Sequence, residues 1–419
     1  MKINPTSILI LALILLQSCD LEQVDPVTNN PGGGGSKCDP TSDTITFQTT
    51  FGGGTLDSAT AVALSPDTSI FITGFTKKQG EDLLVYQTNL CQDTLGYRSL
   101  GGGTNKYIGS AIVPSGDGGY VVAGTKFSFI GDASYVTKLN SQGISSSVWT
   151  QTAEKGIHIN DVVRMANGDY LVGGGIIIEG SFGDQSDAYL VVLGSNLAVK
   201  KAIQFPGNSF GDEVFDVLEL DNGEVVGVGS AWIGFGNRIK FVRANPSSGN
   251  ILEDKTLTYK GIGGDNNVNG DAALKTSDGN IAVAGHYQLI FGSDPTTTFL
   301  MKINPTGSVF WENEYGDVSQ NIVGDHEPAA VIETSDGGFL IAGNHKLDGV
   351  SDIFLLKTDA NGDYEWDKSY GGSGKDVAND VVEMPDGGFL VVGYTESFNT
   401  AGETGKVYLL KTDAQGIVK

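Results

Sequence analysis

The chain carries few basic residues. Of its 419 residues, 26 are lysine or arginine and 50 are aspartate or glutamate, so its formal net charge is −24. A charge of this sign disfavours binding to nucleic acids and to anionic membrane surfaces, and it favours cations or basic partners. A solvated acidic surface explains the same composition without any partner. We therefore expect no nucleic-acid partner.

Catalytic signatures are also scarce. The sequence has four histidines and three cysteines, without a Ser-His-Asp pattern, a reactive-cysteine pattern or a pair of the His-x-x-x-His type. Gly374-Lys375 is followed by Asp376, so it does not complete a phosphate-binding loop. These patterns predict no cofactor other than calcium.

Glycine, in contrast, is abundant and regularly placed. The stretch from Pro385 to Gly393 is Pro-Asp-Gly-Gly-Phe-Leu-Val-Val-Gly, a turn followed by a short apolar run. Related stretches end at six earlier glycines: Gly74, Gly124, Gly174, Gly229, Gly285 and Gly343. The seven terminal glycines are 50 to 58 residues apart. This period predicts a repeat architecture.

Each complete repeat predicts four strands, A to D. The clearest examples are strand A at Ala378–Met384, strand B at Phe389–Thr395, strand C at Asp352–Thr358 and strand D at Tyr364–Tyr370. Adjacent apolar residues in strand A indicate a sheet that is buried on both faces. The C–D turns have Asp or Asn first and Gly fourth, as in Asp359-Ala360-Asn361-Gly362, which is typical of type I turns. Such units predict the blades of a β-propeller.

The beginning of the predicted body supplies the last strand. Residues 45–51 align without a gap with strand D at Tyr364–Tyr370, whereas the last repeat reaches Lys419 before its own strand D. The N-terminal strand is therefore expected to join the C-terminal blade, because closure removes open sheet edges. The predicted fold class is all-β: a seven-bladed β-propeller of four-stranded antiparallel blades, closed by the N-terminal strand.

The repeat resembles the bacterial β-propeller repeat found in many secreted and lipid-anchored proteins. The resemblance rests on Asp-Gly-Gly-Phe-Leu-Val-Val-Gly, on Leu-Leu-Lys-Thr-Asp-Ala-x-Gly, and on Trp followed by Tyr-Gly-Gly, and it covers residues 45–419. It implies the fold but does not indicate a particular activity, because such propellers include binders, scaffolds and enzymes. The third and fourth repeats replace the double glycine by Asn-Gly-Asp and Asn-Gly-Glu, which leaves the geometry of their turns open.

The N-terminus resembles the signal of bacterial lipoproteins. An apolar run from Ile8 to Leu16, too short for a permanent membrane span, leads into Leu16-Gln17-Ser18-Cys19. The resemblance to the lipobox implies cleavage before Cys19 and lipidation of that residue, for example with palmitate. Several acyl chains anchor a protein stably. An ordinary secretory signal with a chance cysteine is the alternative.

This interpretation divides the chain into three parts. Residues 1–18 are the expected signal peptide, 19–44 a lipidated flexible tether, and 45–419 the propeller. The expected location is the cell envelope, at the outer membrane, with membrane contact through the lipid anchor alone. With Cys19 lipidated, Cys38 and Cys91 remain in an oxidising compartment, where we expect them to form a disulfide between blades 7 and 1.

Antiparallel strands place the B–C and D–A connections together at one end of a propeller, which we call the loop pole. The A–B and C–D turns form the turn pole. Variable loops on a rigid scaffold commonly carry binding sites. The B–C connections contain seven aromatic residues that are candidates for ligand binding: Phe127, Phe129, Phe182, Trp232, Phe235, Tyr287 and Phe291. The alternative is that these rings pack beneath their own loops.

Three aspartates occupy equivalent places near the start of strand A: Asp161, Asp216 and Asp380. Carboxylates at the mouth of a channel are candidates for acid–base catalysis, as in glycoside cleavage. The alternative is that they accept hydrogen bonds from loop amides.

Two further patterns concern metals. Residues 265–271 place oxygen ligands at alternate positions and a glycine in sixth place, like the start of a calcium loop, with Asp265, Asn267, Asn269 and Asp271 as ligands. The twelfth position is Thr276, not glutamate, so an Asx-rich turn is the alternative. All four histidines lie in segments of the loop pole and are candidates for a second metal site.

Together these features favour a lipid-anchored envelope protein that binds a glycan or a protein through its loop pole. An envelope glycan hydrolase or lyase that uses the channel-mouth carboxylates is the alternative. A structural subunit of an outer-membrane complex is a third interpretation, and it predicts a broad apolar patch on the blade rim.

Overall fold

We analysed a computed structural model of the chain. It describes residues 45–418 apart from 53–55, 66–67, 78–80, 102–104, 129–131, 153–155, 181–182, 208–210, 235, 262–265, 289–295, 317–324, 348 and 399–403. The predicted signal peptide and tether, with Cys19 and Cys38, lie outside the described residues. No helix in the described part of the chain is long and apolar enough to cross a membrane.

The described residues form 28 strands in seven antiparallel sheets of four strands each. The strands up to the end of blade 3 are β1 (Phe47–Phe51), β2 (Asp57–Leu64), β3 (Ile70–Thr76), β4 (Asp82–Thr88), β5 (Thr94–Leu100), β6 (Lys106–Pro114), β7 (Tyr120–Phe127), β8 (Ala133–Leu139), β9 (Ser145–Thr152), β10 (Ile157–Arg164), β11 (Tyr170–Gly180), β12 (Gly183–Leu193) and β13 (Val199–Phe205). The strands of blades 4 to 7 are β14 (Gly211–Glu219), β15 (Val225–Trp232), β16 (Asn237–Ala244), β17 (Ile251–Leu257), β18 (Asn267–Lys275), β19 (Ile281–Gln288), β20 (Thr297–Ile303), β21 (Val309–Tyr315), β22 (Asp325–Glu333), β23 (Phe339–Leu347), β24 (Val350–Thr358), β25 (Tyr364–Tyr370), β26 (Asp376–Glu383), β27 (Phe389–Thr395) and β28 (Lys406–Lys411).

The predicted ring closure is confirmed. Strand β1 pairs with β28 in antiparallel register, from Phe47 opposite Lys411 to Phe51 opposite Val407. The sheet order β1-β28-β27-β26 makes the N-terminal strand the outer strand of blade 7. The start of β1 therefore lies at the turn pole.

The hydrophobic core consists of seven clusters, each between two neighbouring blades. We call each of these interfaces a seam. The cluster at the seam of blades 7 and 1 contains Phe47, which is 7% exposed, together with Leu84 and Leu409. The adjacent apolar residues of strand A thus serve two seams at once, as the sequence pattern predicted.

The terminal glycine of the repeat has a steric cause. In every blade, strand A contains a bulge opposite the terminal glycine of the repeat and the residue before it, within strand B. At that point the backbones approach so closely that a Cβ on Gly124 would overlap the carbonyl oxygen of Ile108, and one on Gly393 that of Val377. A glycine is required wherever the bulge occurs.

The A–B turns of the third and fourth repeats keep the common geometry. Gly168 and Gly223 have φ angles of 84° and 78°, close to the 85° of Gly118 and the 76° of Gly387. The left-handed residue of these two turns is Gly168 or Gly223 itself. The second glycine of the motif is therefore not needed for this turn conformation.

Candidate functional site

Two cavities lie along the axis and the loop pole of the propeller. The first is the central channel, a cavity of about 370 Å³ lined by the bulges of the innermost strands. Its wall is formed by the bulge residue of each blade and by the residue after it: Thr60, Ala61, Ser110, Ala111, Asn160, Asp161, Phe215, Asp216, Asp271, Ala272, Ala329, Ala330, Asn379 and Asp380. All three candidate catalytic aspartates therefore face the channel, each in the position after its bulge.

Each of these aspartates connects two blades. Asp161 accepts a hydrogen bond from the amide of Val162 at 2.7 Å and a second from Val217 in blade 4 at 2.9 Å. Asp380 accepts one from Val62 in blade 1 at 2.8 Å and one from Val381 at 2.8 Å.

Asp216 follows the same pattern, with the amide of Ala273 in blade 5 at 2.5 Å. The geometry thus favours the amide-capping interpretation for the three carboxylates, because they satisfy backbone donors at the bulges.

The same carboxylates have strongly altered proton affinities. Burial raises the pKa of Asp161 to about 6 and that of Asp380 to about 7. Burial and the charge of Asp161 raise the pKa of Asp216 well above its usual range. The described channel wall contains no lysine or arginine that could oppose these shifts. Carboxyl groups of this kind hold a proton near neutral pH, which is the property of a general acid.

Asp271 lies in the bulge of blade 5 and forms a buried pair with a histidine. Its Oδ2 is 2.6 Å from Nδ1 of His286, whose Nε2 is 2.9 Å from Nδ2 of Asn269. Burial disfavours the charged form of His286, but the hydrogen bond to Asp271 and the charges of Asp271 and Glu327 together outweigh burial and raise the pKa of His286. The sequence did not single out this pair, because the two residues lie on different strands.

The predicted calcium ligands are only partly described. Asp265 lies outside the described residues, while Asn267, Asn269 and Asp271 belong to strand β18. Asn267 accepts a hydrogen bond from the amide of Asn237 at 3.1 Å, and Oδ1 of Asn269 accepts one from Ser230 at 2.8 Å. These oxygens already have protein partners, and the calcium site there stays a prediction.

The histidines do not gather around one point in the described structure. His326 and His345 stack with ring centroids 5.6 Å apart, and His158 lies 3.1 Å from Oδ2 of Asp132. The described residues contain no group of three or more His, Cys, Asp or Glu side chains placed to hold a metal ion.

The second cavity is a cleft of about 630 Å³ on the loop pole, between blades 6 and 7. The B–C hairpin of blade 6 and the D–A crossing to blade 7 form its walls. Its lining is polar and carries both signs of charge: Asp325, Glu327, Asn344, Lys346, Gly349, Val350, Ser351, Ser373, Gly374, Lys375 and Glu396. Cavities of this size are typical of small-molecule sites.

The two lysines of the cleft are its most distinctive feature. Lys346 and Lys375 are exposed and form no ion pair with any described residue. In contrast, Lys240, Lys357 and Lys411 each contact an aspartate. Asn344 fixes the wall, because its Oδ1 accepts a hydrogen bond from the amide of Ala378 in blade 7 at 2.8 Å. Neither lysine carries a signal in the sequence beyond its place in the loop-pole segments of adjacent repeats.

The described aromatic candidates differ in exposure. Trp232 is 50% exposed at the end of strand β15. Tyr287 instead stacks on Tyr259 at 5.3 Å, and Phe127 is half-buried with its ring 6.0 Å from that of His158. Tyr287 and Phe127 thus pack as the alternative interpretation proposed, whereas Trp232 presents a large apolar surface. The other four candidates lie outside the described residues: Phe129, Phe182, Phe235 and Phe291.

The blade rim carries exposed apolar side chains on several blades. In the described residues they lie mainly on the outer strands and are distributed around the ring: Leu95, Val148, Val199, Ile251, Leu252, Val309, Phe310 and Tyr364. Scattered exposed apolar residues are normal for a soluble surface.

Cys91 takes part in a disulfide bond. Its partner lies outside the described residues, so the pairing with Cys38 stays a prediction. Cys91 follows strand β4 in the C–D turn of blade 1, on the same pole as the start of β1.

Comparison with known proteins supports the fold. No family model matches the chain, and no curated protein matches it. Among solved structures, a mutant puromycin hydrolase matches with a TM-score of 0.54 and 14% identity, over 86% of this chain and 53% of that one. The chain thus spans about half the length of that enzyme.

Two other solved structures match less closely. The periplasmic gluconolactonase of Pseudomonas aeruginosa gives a TM-score of 0.49 at 13% identity, over 76% of this chain and 87% of that chain. Sqt1 of Chaetomium thermophilum, bound to the N-terminus of the ribosomal protein L10, gives 0.48 at 12% identity, over 87% and 98%. The likeness to the puromycin hydrolase, at 14% identity, concerns the fold alone.

Proposed function

We propose that this protein is a lipid-anchored protein of the cell envelope, at the outer membrane, which binds a glycan or a protein through its loop pole. The observation that carries the proposal is the cleft between blades 6 and 7, with its two lysines that have no ion-pair partner among the described residues. Free charged groups at the wall of a cleft are available to a ligand, whereas the channel carboxylates already bind backbone amides.

The chemistry of the cleft narrows the ligand. Lys346 and Lys375 lie beside Glu327 and Glu396, so a ligand with both signs of charge, or with an acidic group among hydroxyls, fits the lining. A peptide segment of a protein and an acidic glycan both have this character. The exposed ring of Trp232 in blade 4 offers a second contact surface on the same pole.

The expected orientation agrees with this role. A tether of residues 19–44 joins the body at the turn pole, just before β1 begins at Phe47. An anchored propeller would therefore direct its turn pole towards the membrane and its loop pole outward. A ligand would reach the cleft from the far side of the lipid surface.

The second candidate is an envelope glycan hydrolase or lyase. It is favoured by the raised pKa values of Asp161 and Asp380, which suit a general acid at neutral pH. The two bound amides on each of these carboxylates count against it, because catalysis needs an oxygen that is open to the substrate. Asp161→Asn and Asp216→Asn should abolish turnover and preserve affinity if this candidate is correct.

An array of glycans and peptides, probed with residues 37–419, distinguishes the two candidates. Ligands that bind and stay intact support the binding protein, and ligands that are cleaved support the enzyme. Trp232→Ala should weaken binding without changing the unfolding midpoint. Contacts confined to the turn pole would contradict the proposed orientation.

A further inference from the structure

Two aspartates meet at the seam between blades 6 and 7. Asp352 comes from strand β24 of blade 6 and Asp376 from the start of strand β26 in blade 7. Both face Gly371: a Cβ on that residue would overlap Oδ1 of Asp352 and lie 2.7 Å from Oδ2 of Asp376. The two carboxylates therefore approach the same point from different blades.

Three oxygen atoms at this seam are buried without a hydrogen-bond partner. They are Oδ1 of Asp352, Oδ1 of Asp376 and the hydroxyl of Tyr408. Asp376 is 0% exposed and Tyr408 is 1% exposed. Burial and the charges of Asp376 and Asp352 raise the pKa of Tyr408, so its hydroxyl lies within the field of both carboxylates. Buried polar atoms of this kind normally have a partner.

Protein groups do bind the other oxygen of Asp376. Its Oδ2 accepts a hydrogen bond from the amide of Gly372 at 2.8 Å and one from the hydroxyl of Ser397 at 2.5 Å. These are neutral donors. Among the described residues, no lysine or arginine forms an ion pair with Asp352 or Asp376.

The seam between blades 3 and 4 provides an internal comparison. In that seam Asp187 is equivalent to Asp352, and Asp212 is equivalent to Asp376. Each equivalent pair lies opposite the residue two positions after the terminal glycine of strand B. Lys240 binds one member of this second pair, since its Nζ is 2.5 Å from Oδ2 of Asp212 and 2.6 Å from Oδ1 of Asp254. Asp187 also accepts a hydrogen bond from Nε2 of Gln204 at 2.6 Å.

The residue that supplies the positive charge differs between the two seams. Tyr408 of blade 7 is equivalent to Lys240 of blade 4. Lys240 lies opposite the terminal glycine Gly229 in its sheet, and Tyr408 lies opposite the terminal glycine Gly393. In the seam between blades 6 and 7, Ser369 is equivalent to Gln204. One seam thus has an ammonium group on its buried Asp212. The equivalent positions of the other seam hold two hydroxyl groups, and the titratable neighbour of Asp352 there is His345, opposite it in the sheet.

We propose that the seam between blades 6 and 7 binds a metal cation, held by Asp352, Asp376 and the hydroxyl of Tyr408, in the place that Lys240 fills in blade 4. The donors are all oxygen atoms and two of them carry charge, which suits a hard cation and Ca²⁺ in particular. Mg²⁺ demands a stricter octahedron and suits the seam less well. Water molecules and backbone carbonyls would complete the coordination.

The site is distinct from the predicted calcium loop at residues 265–271, and it would have a structural consequence. A cation there would join blade 6 to blade 7. Ser351 and Lys375, the neighbours of Asp352 and Asp376 in the chain, line the loop-pole cleft, so the ion would also fix the wall of that cleft.

The test is calorimetric titration of Ca²⁺ into the full chain in detergent micelles after chelation, together with thermal unfolding with and without the ion. We expect saturable binding and a higher unfolding midpoint with Ca²⁺, and smaller effects with Mg²⁺ and Na⁺. Asp376→Asn should remove the response. Asp336→Asn, which changes an exposed carboxylate of the turn pole, should keep it.

Tyr408→Lys makes the test independent of any folding defect in Asp376→Asn. It places an ammonium group where blade 4 has one, so this variant should stay folded and lose its response to Ca²⁺. A wild-type protein that responds to none of the three cations would overturn the proposal, and so would stability that depends on pH alone. A Ca²⁺ response that persists in Tyr408→Lys and Asp376→Asn would assign the ion to another place and equally overturn it.

Discussion

The channel carboxylates predict an unusual dependence of stability on pH. Asp380 joins blade 7 to blade 1 through the amide of Val62, and burial raises its pKa from 3.8 to about 7. In the unfolded chain the carboxyl group loses its proton near pH 4, whereas in the folded protein it keeps the proton until about pH 7. The contribution of Asp380 to stability is therefore intact below pH 4 and is lost as the pH rises to 7.

The magnitude follows from the size of the shift. Each pKa unit corresponds to about 1.4 kcal/mol, so a shift of about three units costs at most ~4 kcal/mol at pH 8. The side chain keeps part of its surface on the channel, and water there reduces the cost. The asparagine side chain of Asp380→Asn cannot ionise, so this variant avoids the cost at high pH. Its amide nitrogen cannot accept a hydrogen bond, however, so the variant loses about 1 kcal/mol of folding stability at every pH.

The two effects have opposite signs, so the stability curves should cross. Asp380→Asn should be slightly less stable than the wild type at pH 4 and more stable at pH 8. Urea denaturation followed by tryptophan fluorescence at several pH values measures both curves, and Val331→Ala, at another seam, is a control that should shift stability without changing its pH dependence. A difference between Asp380→Asn and wild type that does not vary from pH 4 to 8 would refute the reasoning.

Three further predictions follow from the ring and its loop pole. Phe47→Ala should lower the free energy of unfolding by about 3–4 kcal/mol, because it opens a cavity in the closing seam. Deletion of residues 45–52 should destabilise the whole body. Thermal unfolding that is unchanged by this deletion would contradict closure. Free thiol should be absent from Cys38 and Cys91 in the unreduced, folded protein, and two titrating thiols would contradict the disulfide. Trp232→Ala should reduce ligand affinity at unchanged stability, and a lowered unfolding midpoint would instead assign the ring to the core.

The fold could be predicted from the sequence because each repeat contains the residues that determine its own bulge and turns. The terminal glycine marks the bulge of strand A, and the Asp/Asn-to-Gly turns mark the hairpins, so strands B and D of the clearest repeat were predicted with their observed bounds. The B–C connections were predicted less well. In blade 3, for example, β11 and β12 extend into this connection as a paired hairpin whose last pair is Gly180 and Gly183, so part of the variable loop expected from the sequence is regular strand.

The candidate sites could be predicted only in part, because they depend on contacts between repeats. The equivalent positions of Asp161 and Asp380 were visible in the sequence, but their bonds to Val217 and Val62 lie in the next blade. Lys346 and Lys375 enter one cleft only because blades 6 and 7 are neighbours. A repeat pattern describes one blade at a time and contains no direct information about such pairs.

Reversal of charge in the cleft tests the central claim most directly. The ligand identified on the array would be titrated into wild type, into Lys346→Glu/Lys375→Glu, and into Lys275→Glu, whose lysine pairs with Asp221 on the turn pole. Loss of charged hydrogen bonds worth about 1.5–3 kcal/mol each predicts a decrease in affinity of at least about tenfold for the double variant. The turn-pole variant should bind like wild type. Equal affinity of all three proteins would contradict a binding site in the cleft.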